Sequence, residues 1–512
     1  MSSSSSEGIA RRIGVRDAGL IRTRCLIGGE WLDARAKHNV DDGAVGVTFP
    51  VINPATGAVL ADVAHLGRDE TNAAIRAAAD ASRAWSDLPA SARASLLRGL
   101  SDLILEHAED LARIMVAEQG KPMAEAKGEV AYAASFVQWF GEEARRTYGE
   151  VIPSHRPNDS RLFALRQPVG VAAAITPWNF PLAMITRKAA AALAAGCVMV
   201  IKPSEETPLS ALALGVLAER AGLPPGVLNV VCGDAPAIGE ALCASPVVRK
   251  LSFTGSTAVG KRLVRQCADT VKRVSMELGG NAPFIVFADA DLNAAVEGAV
   301  ASKFRNTGQT CVCAQRFLVH ESVSETFAVR LAERVSKMVV GDGLRGQTDQ
   351  GPLINAAALA KVEAHVADAV GKGARTLTGG QRVSADESNA GGFFFAPTVL
   401  VGCDMGMDVF REETFGPVAA IASFTTEAEA VAMANDTRAG LASYVYTRDV
   451  GRLWRVAEAL EYGIVGANTG IVSTAEAPFG GVKESGVGTE GGKHGIEEYL
   501  DVKYLCLSGL GS

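Results

Sequence analysis

Cys311 is the residue in this sequence best suited to covalent chemistry. It stands in Gly308-Gln-Thr-Cys311, followed by Val312-Cys-Ala-Gln315, where small and polar neighbours break the apolar context of an ordinary core cysteine. A thiolate is the strongest side-chain nucleophile near neutral pH, and its attack on a carbonyl creates an oxyanion that needs preorganised donors. Cys197, Cys232 and Cys243 sit in apolar runs and read as small buried hydrophobes. Glu277, in Met276-Glu-Leu-Gly-Gly280, is a carboxylate among apolar neighbours, which raises its pKa toward the range of a working base. Asn179, between Pro177-Trp178 and Phe180-Pro181, offers an amide donor; taken alone it reads equally well as a helix cap. Arg187 and Arg305 carry guanidinium forks that match a carboxylate, against the plainer reading of structural ion-pair partners.

Two glycine motifs mislead. Gly255-Ser-Thr-Ala-Val-Gly260-Lys261 approaches a phosphate-binding loop, but Arg262 stands where a Mg²⁺-ligating hydroxyl belongs. What survives is a turn of small residues whose backbone N–H groups can face a phosphate. Gly486-Val-Gly488-Thr-Glu-Gly491 matches a dinucleotide fingerprint letter for letter, yet it lies near the chain end with no βαβ unit to complete it.

The elements that must position these residues alternate. Cys25–Leu32 reads as extended, Asn53-Pro54 as a turn, and Leu96, Leu97, Leu100, Leu103 and Ile104 recur at helical spacing, with Gly120 a helix stop. From 169 onward, short β-branched runs (Val169–Thr176, Val198–Ile201, Val227–Val231, Lys250–Thr254, Phe284–Phe287) alternate with alanine-rich helical stretches. A second such series runs from about 283 to 470, with helices near 292–305, 322–339 and 355–371. Repeated strand–helix–strand units predict parallel sheets with helices on both faces and a ligand site beyond the strands' carboxyl ends. Tyr148–Arg166 and Tyr499–Leu507 read as extended pieces that pair outside the main sheets.

At 512 residues more than one domain is expected, and 54 glycines with 6% aromatic residues suit tight helix-on-sheet layers. A net charge of −7 gives no attraction for nucleic acid or acidic membranes. The longest apolar run, Ala189–Ile201, is far short of the roughly 20 residues of a membrane span. The nine cysteines, odd in number and scattered, imply a reducing compartment, and the seven dispersed histidines give no metal-ligand spacing. Ser2–Ser6 and the arginines that follow read as a disordered tail over 1–20, with a transit peptide as the alternative in a eukaryote.

Four segments, Thr176-Pro-Trp-Asn-Phe-Pro181, Met276-Glu-Leu-Gly-Gly280, Gly308-Gln-Thr-Cys311 and Glu413-Thr-Phe-Gly-Pro417, resemble in order and spacing the aldehyde dehydrogenase superfamily, from about Cys25 onward. The resemblance implies that Cys311 attacks an aldehyde, and that the Asn179 amide and the Cys311 N–H hold the oxyanion. Hydride then passes to NAD (NADP the alternative), and Glu277 activates the water that releases the acid. It implies that Thr176, Pro177, Trp178, Lys202, Ser204, Glu205, Gly255, Ser256, Glu413 and Phe415 bind the cofactor. Glu205, expected at the ribose hydroxyls, favours NAD because it repels a 2′-phosphate, while Lys202 and Ser204 leave room for NADP.

Within that superfamily the succinate semialdehyde dehydrogenases are most similar, and there Arg187, Arg305 and Ser473 match positions that grip the substrate's far carboxylate. A glutarate semialdehyde or general aldehyde preference stays open, as does a catalytically silent binding protein on the same fold. Cys313 completes Cys-Val-Cys, and residues two apart in an extended segment point the same way, which makes a reversible Cys311–Cys313 disulfide a candidate redox switch. A cysteine hydrolase would want a nearby histidine, and a CoA-acylating enzyme would not need Glu277. The expected fold is α/β, with two doubly wound parallel-sheet domains and a small β oligomerisation extension. Its boundaries are 21–147 with 167–277 for cofactor binding, 278–475 for catalysis, and 148–166 with 476–512 for oligomerisation. The expected state is a cytoplasmic homodimer or homotetramer (mitochondrial matrix if eukaryotic) with a small carboxylated aldehyde as substrate and no metal, nucleic-acid or membrane partner.

Overall fold

The computed structural model describes residues 6–33, 48–155, 159–383 and 391–510. Its first sheet has eight strands, ordered Gly486–Val487, Arg273–Glu277, Val248–Thr254, Val171–Ile175, Val198–Lys202, Leu228–Val230, Cys25–Ile27, Glu30–Leu32. The five from Arg273–Glu277 to Leu228–Val230 are parallel; the pairings outside them are antiparallel. Every residue of Val198–Lys202 is buried, as expected of a strand covered by helices on both faces. Ala172–Ala174 in the neighbouring strand carry side chains small enough for helices to lie close.

The second sheet has seven strands, ordered Arg375–Thr378, Thr398–Val401, Val418–Phe424, Ala314–His320, Ala282–Val286, Ala442–Tyr446, Ile464–Ala467. All its pairings are parallel except the first. Glu150–Ile152, Ser160–Pro168 and Leu500–Ser508 form a separate three-stranded antiparallel sheet, the small β extension anticipated from the sequence. Gly120 ends the Ala108–Gln119 helix with φ +94°, a left-handed conformation that favours glycine.

Two details differ from the sequence reading. The stretch drawn as a disordered tail holds a helix, Ser6–Ile13, whose Ile9, Ala10 and Ile13 are buried, followed by a helical turn with Leu20 buried. The arginines that suggested a tail are on the solvent side: Arg11 and Arg12 are exposed, so one amphipathic face was hidden by the overall polarity. Residues 1–5 lie outside the described residues. Residues 486–487, placed in the oligomerisation extension, instead pair with Met276–Glu277 and edge the first sheet.

Candidate active site

A cavity of about 270 Å³ opens where the two sheets face each other, and it gathers most of the sequence-predicted site. From the first sheet, the loops after Val171–Ile175 and Val248–Thr254 bring Pro177, Trp178, Asn179, Gly255 and Ser256 to its wall, and the carboxyl end of Arg273–Glu277, with the loop after it, brings Glu277 and Gly279. These are carboxyl-end loops, as expected. The second sheet contributes differently: Cys311 precedes Ala314–His320, and Glu413 and Phe415 precede Val418–Phe424, so they lie at the amino ends of their strands. Arg187, on the Ala183–Ala195 helix, and Arg305 and Ser473 complete the wall. Thr176, Lys202, Ser204, Glu205 and Cys313 do not line it.

Cys311 is partly exposed into the cavity, and burial pushes its thiol up to about 12, against the pull of the Arg187 charge. Its carbonyl oxygen lies so near Gly280 that a Cβ there would approach to 2.3 Å. Gly280 is therefore needed for close packing of two backbones. Asn179 donates one amide hydrogen to the Gln309 carbonyl at 3.0 Å, and a primary amide carries a second. Among the described residues no acceptor takes the Cys311 N–H.

Glu277 is buried at the end of its strand, and neither carboxylate oxygen has a partner. Burial, then the neighbouring Glu490 carboxylate, pushes its pKa well above the ordinary value, while Lys188 and Arg187 pull the other way. Glu490 itself is ion-paired with Lys188 and lies 3.7 Å from Arg187, which hold it below the usual carboxylate range although burial opposes them. Of the two carboxylates, Glu277 is the one left as a proton acceptor without a cation of its own.

Arg187 donates to the Tyr132 hydroxyl at 2.6 Å, stacks on Phe479 at 4.1 Å, and leaves its Nε buried without a partner. It thus joins a structural network and still faces the cavity. Arg305 stacks on Phe180 at 5.2 Å, and among the described residues it makes no ion pair, which removes the plainer reading for that residue. Tyr132, Phe479, Lys188 and Glu490 were missed in the sequence. Glu490 lies inside the Gly486–Gly491 glycine match, which has no βαβ unit around it here either.

Around the first sheet, Ser256 caps the Thr257–Cys267 helix, and Thr176 Oγ1 and Thr254 Oγ1 are buried without partners. Lys261, the would-be phosphate lysine, is instead paired with Glu484 at 2.8 Å. Lys202 is the last residue of the strand Val198–Lys202 and binds Glu205 at 2.8 Å. That ammonium, against the opposing effect of burial, holds Glu205 below its usual range. Glu413 accepts from the Gly280 N–H at 3.1 Å, and burial pushes it up to about 7. Phe415, at φ +55°, meets Trp178 edge to face with centroids 5.5 Å apart. Cys311–Cys313 is a turn rather than the extended segment assumed for a disulfide. Cys313 is buried, its thiol donates to the Lys303 carbonyl at 3.6 Å, and it does not line the cavity. No group of three or more metal-ligating side chains occurs among the described residues, and no helix among them is long and apolar enough to cross a membrane.

Comparison with known proteins accords with this geometry. The aldehyde dehydrogenase family model matches residues 41–505. The chain is 57% identical to a succinate-semialdehyde dehydrogenase [NADP(+)] of Escherichia coli (strain K12), covering 96% of this chain and 99% of that protein. It is 55% identical to a glutarate-semialdehyde dehydrogenase of Pseudomonas aeruginosa, covering 97% and 100%. The crystal structure of a succinate-semialdehyde dehydrogenase from Burkholderia pseudomallei superposes with a TM-score of 0.93 at 55% identity, covering 96% of this chain and 99% of that one.

Proposed function

The chain belongs to the aldehyde dehydrogenase family, and on that premise we propose that it oxidises a short dicarboxylic semialdehyde, succinate semialdehyde first, through a thioester on Cys311. The observation that carries this reading is one cavity that joins Cys311, Asn179 and Glu277 with Arg187, Ser473 and Arg305, whose fork makes no ion pair among the described residues. Nucleophile and anion-binding groups share a wall, which suits a molecule with an aldehyde at one end and a carboxylate at the other.

The Cys311 thiol gives its proton to solvent water, its sulfur bonds to the aldehyde carbon, and the carbonyl π pair moves onto the oxygen. The new oxyanion accepts hydrogen bonds from the free Asn179 amide N–H and from the Cys311 N–H; one such donor is worth roughly 10²–10³ in rate. A nicotinamide dinucleotide, when bound, supplies the hydride acceptor that turns this adduct into a thioester. Ser256 and the backbone around it fit a phosphate at the start of a helix, and the unpartnered Thr176 and Thr254 hydroxyls fit polar groups of such a ligand. On this reading Lys202, Ser204 and Glu205 would meet its ribose, Trp178 and Pro177, which line the cavity, would flank its cleft, and Glu413 with Phe415 would hold its far end. Glu277 then draws a proton from water, which attacks the thioester and frees the acid and the thiol.

NAD remains the favoured cofactor on the argument from Glu205. One observation favours NADP as a second reading: Glu205 is neutralised by Lys202, which reduces its repulsion of a 2′-phosphate. The exposed Val151, Val502, Tyr504, Leu505 and Leu507 on the three-stranded sheet support a homodimer or homotetramer built through that face. The test is kcat/KM for succinate semialdehyde, glutarate semialdehyde and an uncharged aldehyde of similar length, with each cofactor. A clear preference for a carboxylated substrate is expected; equal use of the uncharged aldehyde would remove the semialdehyde assignment and keep the dehydrogenase.

A further inference from the structure

We propose that Asn306 and Lys121 are positioning residues that fix the Asn179 peptide, and through it the oxyanion donor; this rests on the role given to Asn179 above. The Asn179 carbonyl oxygen accepts from two buried side chains, Lys121 Nζ at 2.8 Å and Asn306 Nδ2 at 2.8 Å. A carbonyl has two lone pairs, so both are taken and the peptide cannot rotate without losing a bond.

Each donor is itself held. Lys121 is 1% exposed, paired with Glu129 at 2.5 Å, and its ammonium lies 4.1 Å from the centre of the Phe180 ring. The other Glu129 oxygen accepts from the Leu182 and Ala183 N–H groups at 3.0 and 3.2 Å, fixing the start of the helix that carries Arg187. Asn306 is in a left-handed conformation at φ +51°, and its N–H donates to Glu125 at 2.7 Å. Its amide also reaches the Gln309 carbonyl at 3.2 Å, the same oxygen that takes the Asn179 side chain at 3.0 Å.

The loop before Cys311 and the loop holding Asn179 are thus stitched by two side-chain amide hydrogen bonds, and a third, from Asn306 to the Gln309 carbonyl, braces the first loop internally. A buried lysine whose only task was stability would need Glu129 alone. Here it also reaches the backbone of the residue whose amide must meet the oxyanion, and an error of about 1 Å in such placement costs on the order of 10²-fold in rate.

The experiment uses Asn306→Gly, which keeps the left-handed backbone accessible and removes the amide, and Lys121→Met as the second variant, each with and without Asn179→Ala. Two rates are read: kcat for the aldehyde, and alkylation of Cys311 by iodoacetamide, a displacement that forms no oxyanion. The expected result is a kcat loss of about 10- to 100-fold in N306G, with KM and alkylation within about twofold. In the N179A background the same change should cost nothing further, because residues acting as a unit are non-additive. Alkylation falling in parallel with kcat, or losses that multiply with N179A, would overturn the proposal by pointing to a general structural role. If N306G fails to fold, Lys121→Met is judged by the same criteria. If N179A alone keeps full kcat, the oxyanion reading and this inference fall together; if N179A is slow and both positioning variants are not, only this inference falls.

Discussion

Replacing Glu277 with glutamine separates the two halves of the catalytic cycle. The carboxyl group is buried, both oxygens lack partners, and burial with the nearby Glu490 charge pushes its pKa well above the ordinary value. A glutamine of the same shape removes the base and also the Glu277–Glu490 repulsion. General-base catalysis contributes about 10²–10⁴ in rate, or roughly 3–5 kcal/mol at 1.36 kcal/mol per tenfold. Steady-state turnover should fall by that factor while attack and hydride transfer survive. Stopped-flow mixing should show a burst of about one reduced cofactor per active site, followed by a slow phase. The sign for stability is the reverse of the usual paired acid. A carboxyl whose folded pKa is raised stabilises most at low pH and loses that contribution as pH climbs above its unfolded value, so E277Q should melt no lower than wild type at pH 8. Wild-type turnover limited by this step should rise with pH as the carboxylate ionises. Turnover in E277Q within about twofold of wild type would refute the base assignment; loss of the burst as well would move Glu277 to the activation of Cys311.

Arg305→Met should raise KM for succinate semialdehyde by about 10- to 100-fold, the worth of one charge-assisted hydrogen bond at 1.5–3 kcal/mol. It should leave an uncharged aldehyde unchanged, and an equal loss on both substrates would contradict carboxylate binding. Glu205→Ser should lower KM for NADP relative to NAD, measured as a ratio of kcat/KM; an unchanged ratio would mean that the Lys202 pairing already cancels its charge. Because the Cys311 thiol of the free enzyme is pushed up to about 12, its iodoacetamide alkylation should keep climbing about tenfold per pH unit between pH 7 and 9, in proportion to thiolate. A plateau below pH 8 would show a thiolate stabilised beyond what Arg187 supplies.

The alternating strands and helices from Val169 were legible because their buried strands are unbroken apolar runs, and the observed strand at Val198–Lys202 extends the expected one by a single residue. Cys311, Asn179 and Glu277 were legible from motif context, and the cavity joins them with Arg187 and Arg305. What stayed hidden depends on tertiary neighbours. Glu490 sits in a glycine-rich stretch near the chain end, and only the packing of that segment on the first sheet brings it to Glu277 and Lys188. Lys121 and Glu129 look like ordinary surface charges in a helical sequence, yet both are almost wholly buried. The Ser6–Ile13 helix was obscured because its arginines dominate a short stretch whose buried face is three residues wide in effect: Ile9, Ala10 and Ile13. The Cys311–Cys313 geometry turned on whether the segment was extended or a turn, which spacing alone does not decide.

The most direct test of the account is to quench the enzyme during turnover of succinate semialdehyde with its cofactor, digest it, and weigh the peptide that contains Cys311. The account predicts a succinyl thioester on Cys311, accumulating in E277Q and absent when the cofactor is omitted. Unmodified Cys311 throughout, with turnover undiminished in Cys311→Ala, would contradict it.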